Sequence, residues 1–291
     1  MRVVRDVPEL RDELSPARRA GRTIGLVPTM GFLHEGHLSL LRRGRRDCDV
    51  VVMSLFVNPA QFDEAADLAA YPRDEGRDLA LAGSAGADVV FAPPVDVVYP
   101  GGFTTSVCVT GPLTETLEGA QRGPAHFHGV TTVVTKLFNM VQPDVAYFGQ
   151  KDAQQAAVVR TLVRDLDLPV RIAVCPTVRE PDGLALSSRN VHLHGDDRKR
   201  ALALRRGLDA AEATARDGVR DASAVRAAVA TAMGELDVEP EYVAVVDPET
   251  LAPLTAPASP ARSALVAVAA RVGGVRLIDN TTVSLGNGES R

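Results

Sequence analysis

The chain has 291 residues, 24% of them charged and 45% hydrophobic, with a formal net charge of −5, 4% aromatics and no Trp. At roughly 100 to 200 residues per domain, this length accommodates two domains, each able to bury its own core. The acidic balance, the even spread of Lys and Arg and the shortage of stacking rings exclude a nucleic-acid groove and point to small-molecule chemistry.

From the N-terminus, Met1-Arg2-Val3-Val4-Arg5-Asp6 lacks an apolar signal core, and no apolar run reaches the ~18 residues of a membrane helix, so neither export nor membrane insertion is expected. Short apolar runs at 23–27, 49–55, 88–91, 144–148 and 170–174 then alternate with helical patterns near 35–46, 73–85, 129–141 and 151–164. This rhythm predicts an α/β fold, a doubly wound parallel sheet over residues 1–177. Ligands of such sheets gather beyond the carboxyl ends of the strands, where the strand order reverses. After Pro176 the texture changes to a polar loop (177–197), Ala/Arg-rich helices (197–216 and 221–235) and β-rich runs at 241–247, 263–270 and 274–278. A smaller α+β domain is predicted over 178–291, with a Pro-rich loop at 252–260 and a disordered tail from Gly286 to Arg291. Cys48, Cys108 and Cys175, odd in number and far apart, read as reduced, buried thiols of a cytoplasmic protein.

The most informative stretch is Pro28-Thr29-Met30-Gly31-Phe32-Leu33-His34-Glu35-Gly36-His37-Leu38, where an apolar strand breaks at a turn and a helix begins. Free N–H groups and the positive end of the dipole gather at a helix N-terminus, and side chains three apart share one helix face. The junction therefore predicts a phosphate site with His34 and His37 aimed at it, and Gly36, lacking a Cβ, lets a ring or a phosphate approach the backbone. Two surface histidines on an amphipathic helix are the competing reading, and a zinc pair is another, although that lacks a third ligand.

Phe56-Val57-Asn58-Pro59-Ala60-Gln61-Phe62 follows the second strand and offers neutral amides at Asn58 and Gln61 for a hydroxyl or carboxylate; an Asn-Pro turn explains the same residues locally. Arg122 precedes a helix opening at 124–130 and is a candidate guanidinium clamp. Lys is rare, standing only at 136, 151 and 199, and Lys151 lies in Phe148-Gly149-Gln150-Lys151-Asp152-Ala153-Gln154-Gln155, a second strand-turn-helix junction. A cation is disfavoured by the dipole there, which marks it for phosphate rather than for local stability. Leu186-Ser187-Ser188-Arg189 brings two hydroxyls and a guanidinium to wrap a triphosphate, with a helix cap by either serine equally consistent. The six histidines fall in three close pairs (34 and 37, 126 and 128, 192 and 194), which keeps a metal-dependent hydrolase as a rival.

Taken together, P-T-M-G-F-L-H-E-G-H-L (28–38), F-V-N-P-A-Q-F (56–62), Y-P-R (71–73), H-F-H-G-V (126–130), F-G-Q-K-D-A-Q-Q (148–155) and R-E-P-D-G-L-A-L-S-S-R-N (179–190) resemble the pantothenate synthetase family in order and spacing. The H-x-G-H and Ser-Ser-Arg elements are also similar to the two signatures of class I aminoacyl-tRNA synthetases and related nucleotidyltransferases. The resemblance implies a homodimer with a Rossmann-like ATP domain, and a two-step ligation of pantoate and β-alanine through pantoyl adenylate, with ATP as substrate and Mg²⁺. Carried over by motif, Met30, Gly31, Phe32, Leu33, His34, Glu35, Gly36 and His37, with Gly149, Gln150, Lys151 and Asp152, would line ATP. His37, His34 and Lys151 would be catalytic, Val178 would contact the adenosine, and Leu186, Ser187, Ser188 and Arg189 would close over the phosphates. Gln61 and Gln155 would hold pantoate, Gln61 also β-alanine, and Asp78, from the acidic stretch with Asp74 and Glu75, would assist the metal. Leu186 stands where the family often has Met, a volume-conserving exchange. A nucleotidyltransferase acting on a phosphorylated acceptor, or a non-catalytic nucleotide sensor, are the alternatives.

Overall fold

A computed structural model describes residues 1–62, 65–254 and 263–285. Six parallel strands, β1 (Arg2–Val4), β2 (Ile24–Thr29), β3 (Val50–Leu55), β4 (Val89–Phe91), β5 (Val145–Gly149) and β6 (Arg171–Cys175), form one sheet in the order β1-β4-β3-β2-β5-β6. From β2 the chain builds outward through β3 to one side and through β5 and β6 to the other, so the order reverses between β2 and β5. The helices of this part are α1 (Val7–Arg19), α2 (Glu35–Asp47), α3 (Ala65–Ala70), α4 (Glu75–Ser84), α5 (Val95–Val98), α6 (Pro112–Glu115), α7 (Glu118–Arg122), α8 (Pro124–Val141) and α9 (Ala153–Asp165).

Strand periodicity decides which face each side chain meets. Ile24 and Leu26 of β2, Val50 and Val52 of β3, and Ala146 and Phe148 of β5 join one core with Leu10 and Leu14 of α1, Val130 and Phe138 of α8 and Leu162 of α9. Their neighbours Val27, Val51, Met53, Val145 and Tyr147 join a second core with Leu38 and Leu41 of α2 and Ala82 of α4. Burial on both faces explains why these strands read as continuous apolar runs. The edge strand β1 and helix α1 stand outside the predicted elements; β1 has three residues, and Pro16 inside α1 obscures its apolar period of Leu10, Leu14 and Ala17. A side-chain cap nonetheless starts α1, where Asp6 accepts the Glu9 N–H at 2.8 Å.

Packing divides the chain into Met1–Gln150 with Gln154–Pro176, and Lys151–Ala153 with Thr177–Arg291. In the second unit α10 (Gly195–Arg200), α11 (Ala203–Arg216) and α12 (Ala222–Gly234) accompany an antiparallel sheet of β7 (Pro240–Val246), β8 (Ser263–Val272) and β9 (Val275–Ser284), in that order. The helical run predicted from 197 to 216 is thus broken at 201–202. Leu204 and Leu208 of α11, Val225, Val229 and Met233 of α12, and Val266 and Val268 of β8 make its core. Of the predicted Pro-rich loop, residues 255–260 lie outside the described residues, as does the tail from Gly286. Leu26 is fully buried in the central strand, so Leu26→Ala is expected to lower the unfolding free energy by about 2 to 5 kcal/mol in urea titrations. A loss below about 1 kcal/mol would remove β2 from the centre of the core.

Candidate active site

β2 ends at Thr29, and the chain turns through Met30, Gly31, Phe32 and Leu33 into α2. Gly31 has φ +87°, and a Cβ there would lie 2.8 Å from Leu55 Cδ1 and 2.9 Å from Asp78 Oδ2, so only glycine fits. Phe32 also takes a left-handed φ of +50°. Asp78, on α4 and buried, holds the turn: Oδ2 accepts the Phe32 N–H at 2.7 Å and Oδ1 accepts the Leu33 N–H at 2.8 Å. Hydrogen bonds to a charged acceptor contribute about 1.5 to 3 kcal/mol each, enough to offset a left-handed residue. Arg77 flanks this brace, with Nη1 3.6 Å from Asp78 Oδ1 and Cζ 5.4 Å from the centre of the Phe32 ring.

Each Asp78 oxygen holds one backbone N–H, which gives this carboxylate a structural role in the turn beside the metal role that the resemblance implies. Among the described residues no three His, Cys, Asp or Glu side chains group to hold a metal ion.

His34 is the N-cap of α2, with extended φ −133° and ψ 174°. Its Nδ1 accepts the Gly36 N–H at 3.1 Å, while its own N–H donates to His37 Nδ1 at 3.3 Å. The two rings lie 4.1 Å apart, centre to centre. With both Nδ1 atoms accepting, the hydrogen-bond pattern assigns each imidazole the neutral tautomer carrying its proton on Nε2, a donor suited to phosphate oxygens. A Cβ at Gly36 would lie 2.8 Å from His34 Cε1 and 2.9 Å from its Nδ1. The glycine between the histidines therefore makes room for the His34 ring, where the sequence suggested room for a ligand.

Beyond β3, Asn58 caps the 3₁₀ turn Pro59–Gln61. The sequence offered Asn58 to substrate, whereas the structure buries it at 1% exposure and engages its amide with Ala60, Tyr99, Gly129 and Gln61. Gln61 is half-buried, with Nε2 3.3 Å from Met30 Sδ at the carboxyl end of β2. On α9 the adjacent glutamines differ. Gln154 is buried and spans three backbone groups, accepting from Glu118 N–H and donating to the carbonyls of Leu113 and Thr116; Gln155 is half-buried. Arg122, the candidate clamp, lies 3.6 Å from Glu118. Gly149 closes β5 and Gln150 follows it, beside β2 at the reversal of strand order.

The second unit carries the other motifs. Lys151 and Asp152 stand in a 3₁₀ turn just before α9, and among the described residues no carboxylate pairs with the Lys151 ammonium. Asn280 of β9 donates from Nδ2 to the Lys151 carbonyl at 2.9 Å. Its neighbour Asp279, buried, takes Arg179 in a two-pronged ion pair at 2.6 and 3.0 Å. Arg179 in turn donates to the Gly183 carbonyl, and Leu186 N–H bonds the Val178 carbonyl at 3.0 Å. The loop from Val178 to Leu186 is thereby tied to β9. Ser187 Oγ accepts the Arg189 N–H at 3.3 Å, so this serine caps the turn Ser188–His192, and Arg189 itself is exposed. The signal that Asp279 and Asn280 matter was absent from the motifs, since they lie 100 and 129 residues downstream of their partners.

A doubly wound parallel sheet with an H-x-G-H cap after its central strand belongs to the α/β class that takes ligands where the strand order reverses. The profile of the pantoate-beta-alanine ligase family matches residues 2–282. Pantothenate synthetase of Moorella thermoacetica is 52% identical over 98% of this chain and 99% of that protein, and the Thermotoga neapolitana protein of the same name is 51% identical over 97% and 99%. Among solved structures, pantothenate synthetase from Thermus thermophilus superposes with a TM-score of 0.89 at 50% identity, covering 97% of this chain and 99% of that one. The Francisella tularensis pantoate-beta-alanine ligase, solved in complex with beta-gamma ATP and beta-alanine, gives 0.76 at 30% identity, with 97% of each chain covered. The chain belongs to the pantoate-beta-alanine ligase family and is a ligase.

If Asp78 braces the turn, Asp78→Ala is expected to lower stability by about 2 to 5 kcal/mol, because one buried and one part-buried N–H group lose their acceptor. The Mg²⁺ concentration that half-saturates activity should stay within about twofold of the parent. A large shift in that concentration at unchanged melting temperature would assign Asp78 to the metal.

Proposed function

We propose that the chain condenses pantoate with β-alanine, using ATP, through pantoyl adenylate. A carboxylate is a poor electrophile and must first become a mixed anhydride. In the first step a pantoate carboxylate oxygen attacks the α-phosphorus, the bond to the bridging oxygen breaks, and pyrophosphate leaves. In the second, the β-alanine amine attacks the acyl carbon, the acyl–oxygen bond breaks, and AMP leaves as the nitrogen sheds a proton. Charge develops on phosphoryl oxygens in the first step, where preorganised donors count most. The second step needs positioning and exclusion of water.

The observation that carries this reading is the mutual cap of His34 and His37, which fixes two neutral Nε2–H donors at the helix start after β2. Met30 to His37, Gly149 and Gln150 from the first unit, and Lys151, Asp152, Val178 and Leu186 to Arg189 from the second, are assigned to ATP. Catalytic roles go to His34, His37 and Lys151, pantoate to Gln61 and Gln155, and β-alanine also to Gln61. The Francisella complex supports the choice of ATP and β-alanine. Mg²⁺ is assigned to the triphosphate, with waters and phosphate oxygens as its ligands, a mode that needs few protein carboxylates. A homodimer in the cytoplasm completes the reading; no helix among the described residues is long and apolar enough to cross a membrane.

Pyrophosphate exchange into ATP should require pantoate and proceed without β-alanine; exchange lacking the first requirement, or needing the second substrate, overturns the two-step scheme. Gln155→Ala should weaken pantoate by about 1 to 3 kcal/mol, the cost of an unpaired buried polar group, and leave ATP nearly unaffected. Equal losses would move Gln155 out of the pantoate pocket. His37→Ala and Lys151→Ala should each slow adenylate formation on the order of 10²-fold or more. Given preformed pantoyl adenylate in single-turnover experiments, the same variants should couple β-alanine at close to the parent rate. A comparable collapse of both steps would assign these residues to acyl positioning.

A further inference from the structure

Asn58 is an amide whose orientation is decided by the backbone. Its Oδ1 lies 3.2 Å from the Ala60 N–H, which can only donate, and its Nδ2 lies 3.1 Å from the Gly129 carbonyl, which can only accept. A flipped amide would set donor against donor and acceptor against acceptor in a site with 1% exposure. The close approach of α8 that supplies this carbonyl requires Gly129, since a Cβ there would run into the Ala60 carbonyl. Tyr99 adds a second donor to the same oxygen, with its hydroxyl 2.8 Å from Asn58 Oδ1. Burial pushes the Tyr99 phenol up to about 12, so it keeps its proton at any working pH.

The remaining Asn58 bond runs from Nδ2 to Gln61 Oε1 at 2.9 Å. Because Asn58 Nδ2 can only donate, it keeps the Gln61 oxygen turned toward it, and the half of the Gln61 amide that faces away is the NH₂ group. That group meets a thioether, Met30 Sδ, at 3.3 Å, and sulfur is a weak acceptor that an oxygen readily replaces. The Gln61 carbonyl oxygen of the main chain is held in addition by His126 Nδ1 at 3.0 Å, which fixes the residue from behind.

We infer that Tyr99 and Asn58 form a positioning relay that makes Gln61 a one-way hydrogen-bond donor, so that its pocket selects the oxygen acceptors of an acyl substrate, carboxylate or hydroxyl oxygen, over donor groups. This rests on the assignment of Gln61 to pantoate, and Asn58 and Tyr99 act through Gln61 without touching substrate. In Asn58→Asp, one carboxylate oxygen keeps the Ala60 and Tyr99 donors while the other faces Gln61 and, as acceptor against acceptor, the Gly129 carbonyl. Gln61 can pair with it only by turning its NH₂ inward, which points its oxygen at the substrate's oxygens.

The test compares KM for pantoate and for ATP, with melting temperatures, in Gln61→Ala, Asn58→Asp, Tyr99→Phe and the two doubles that combine the last two with Gln61→Ala. Gln61→Ala should raise the pantoate KM about tenfold or more, the scale of one buried hydrogen bond, and the ATP KM less than about twofold. Asn58→Asp should match or exceed it, Tyr99→Phe should give about three- to tenfold, and each double should be no worse than Gln61→Ala alone. Multiplying losses in the doubles, or equal rises in both KM values, would overturn the relay while leaving Gln61 in the pantoate pocket. An unchanged pantoate KM in Gln61→Ala would remove the pantoate assignment and the relay with it. Should Asn58→Asp lack a cooperative melt, the Tyr99→Phe pair decides by the same criteria, because it deletes one hydroxyl and leaves both backbone bonds of Asn58 in place.

Discussion

The Asp78 carboxylate binding the N–H groups of Phe32 and Leu33 is the contact on which the rest of the candidate site depends. It holds two successive residues at positive φ, and that sharp turn sets the direction in which α2 leaves the sheet. Once α2 starts at Glu35, His34 falls at the N-cap and His37 one turn inside it, which is what allows each imidazole to satisfy a backbone N–H. The orphan donors of a helix N-terminus are usually capped by Ser, Thr, Asp or Asn. Here histidines take that role and so acquire a fixed tautomer, which converts a local capping requirement into a pair of oriented donors.

The same economy recurs at the carboxyl end of β3. A short turn at Pro59–Gln61 is capped by Asn58, and the capping amide also reaches α8 through Gly129, α5's C-terminal neighbour Tyr99, and Gln61. Both sites stand at the carboxyl ends of adjacent strands, the central β2 and its neighbour β3, which is the edge of a doubly wound sheet where ligands gather. In the second unit the functional segments are irregular and depend on side-chain ties from β9, through Asp279 to Arg179 and Asn280 to the Lys151 carbonyl. An ion pair with both prongs made and one partner buried is costly to break from one side.

Helix and strand alternation, and with it the parallel sheet followed by a smaller antiparallel one, was legible in the sequence because it follows from apolar period and from Pro and Gly punctuation. Position-specific roles were not. Gln154 and Gln155 are adjacent and chemically identical, yet one helical step of about 100° separates a buried strut from a half-buried side chain. Asn58 looked like a substrate ligand because its neighbours Tyr99 and Gly129 are 41 and 71 residues away.

What the sequence by itself determined is local: the apolar periods, the strand-to-helix turns and the inventory of donors near each turn, all properties of residues within a few positions of one another. The tertiary structure alone decided which polar atoms are engaged within the protein and which are left for chemistry. Asp78 stands 45 and 46 residues from the N–H groups it binds, and no pattern in one sequence records such a pairing. The brace that a carboxylate in an acidic stretch provides becomes visible only in the fold, since burial and hydrogen-bond partnership are set by residues brought together only when the chain closes.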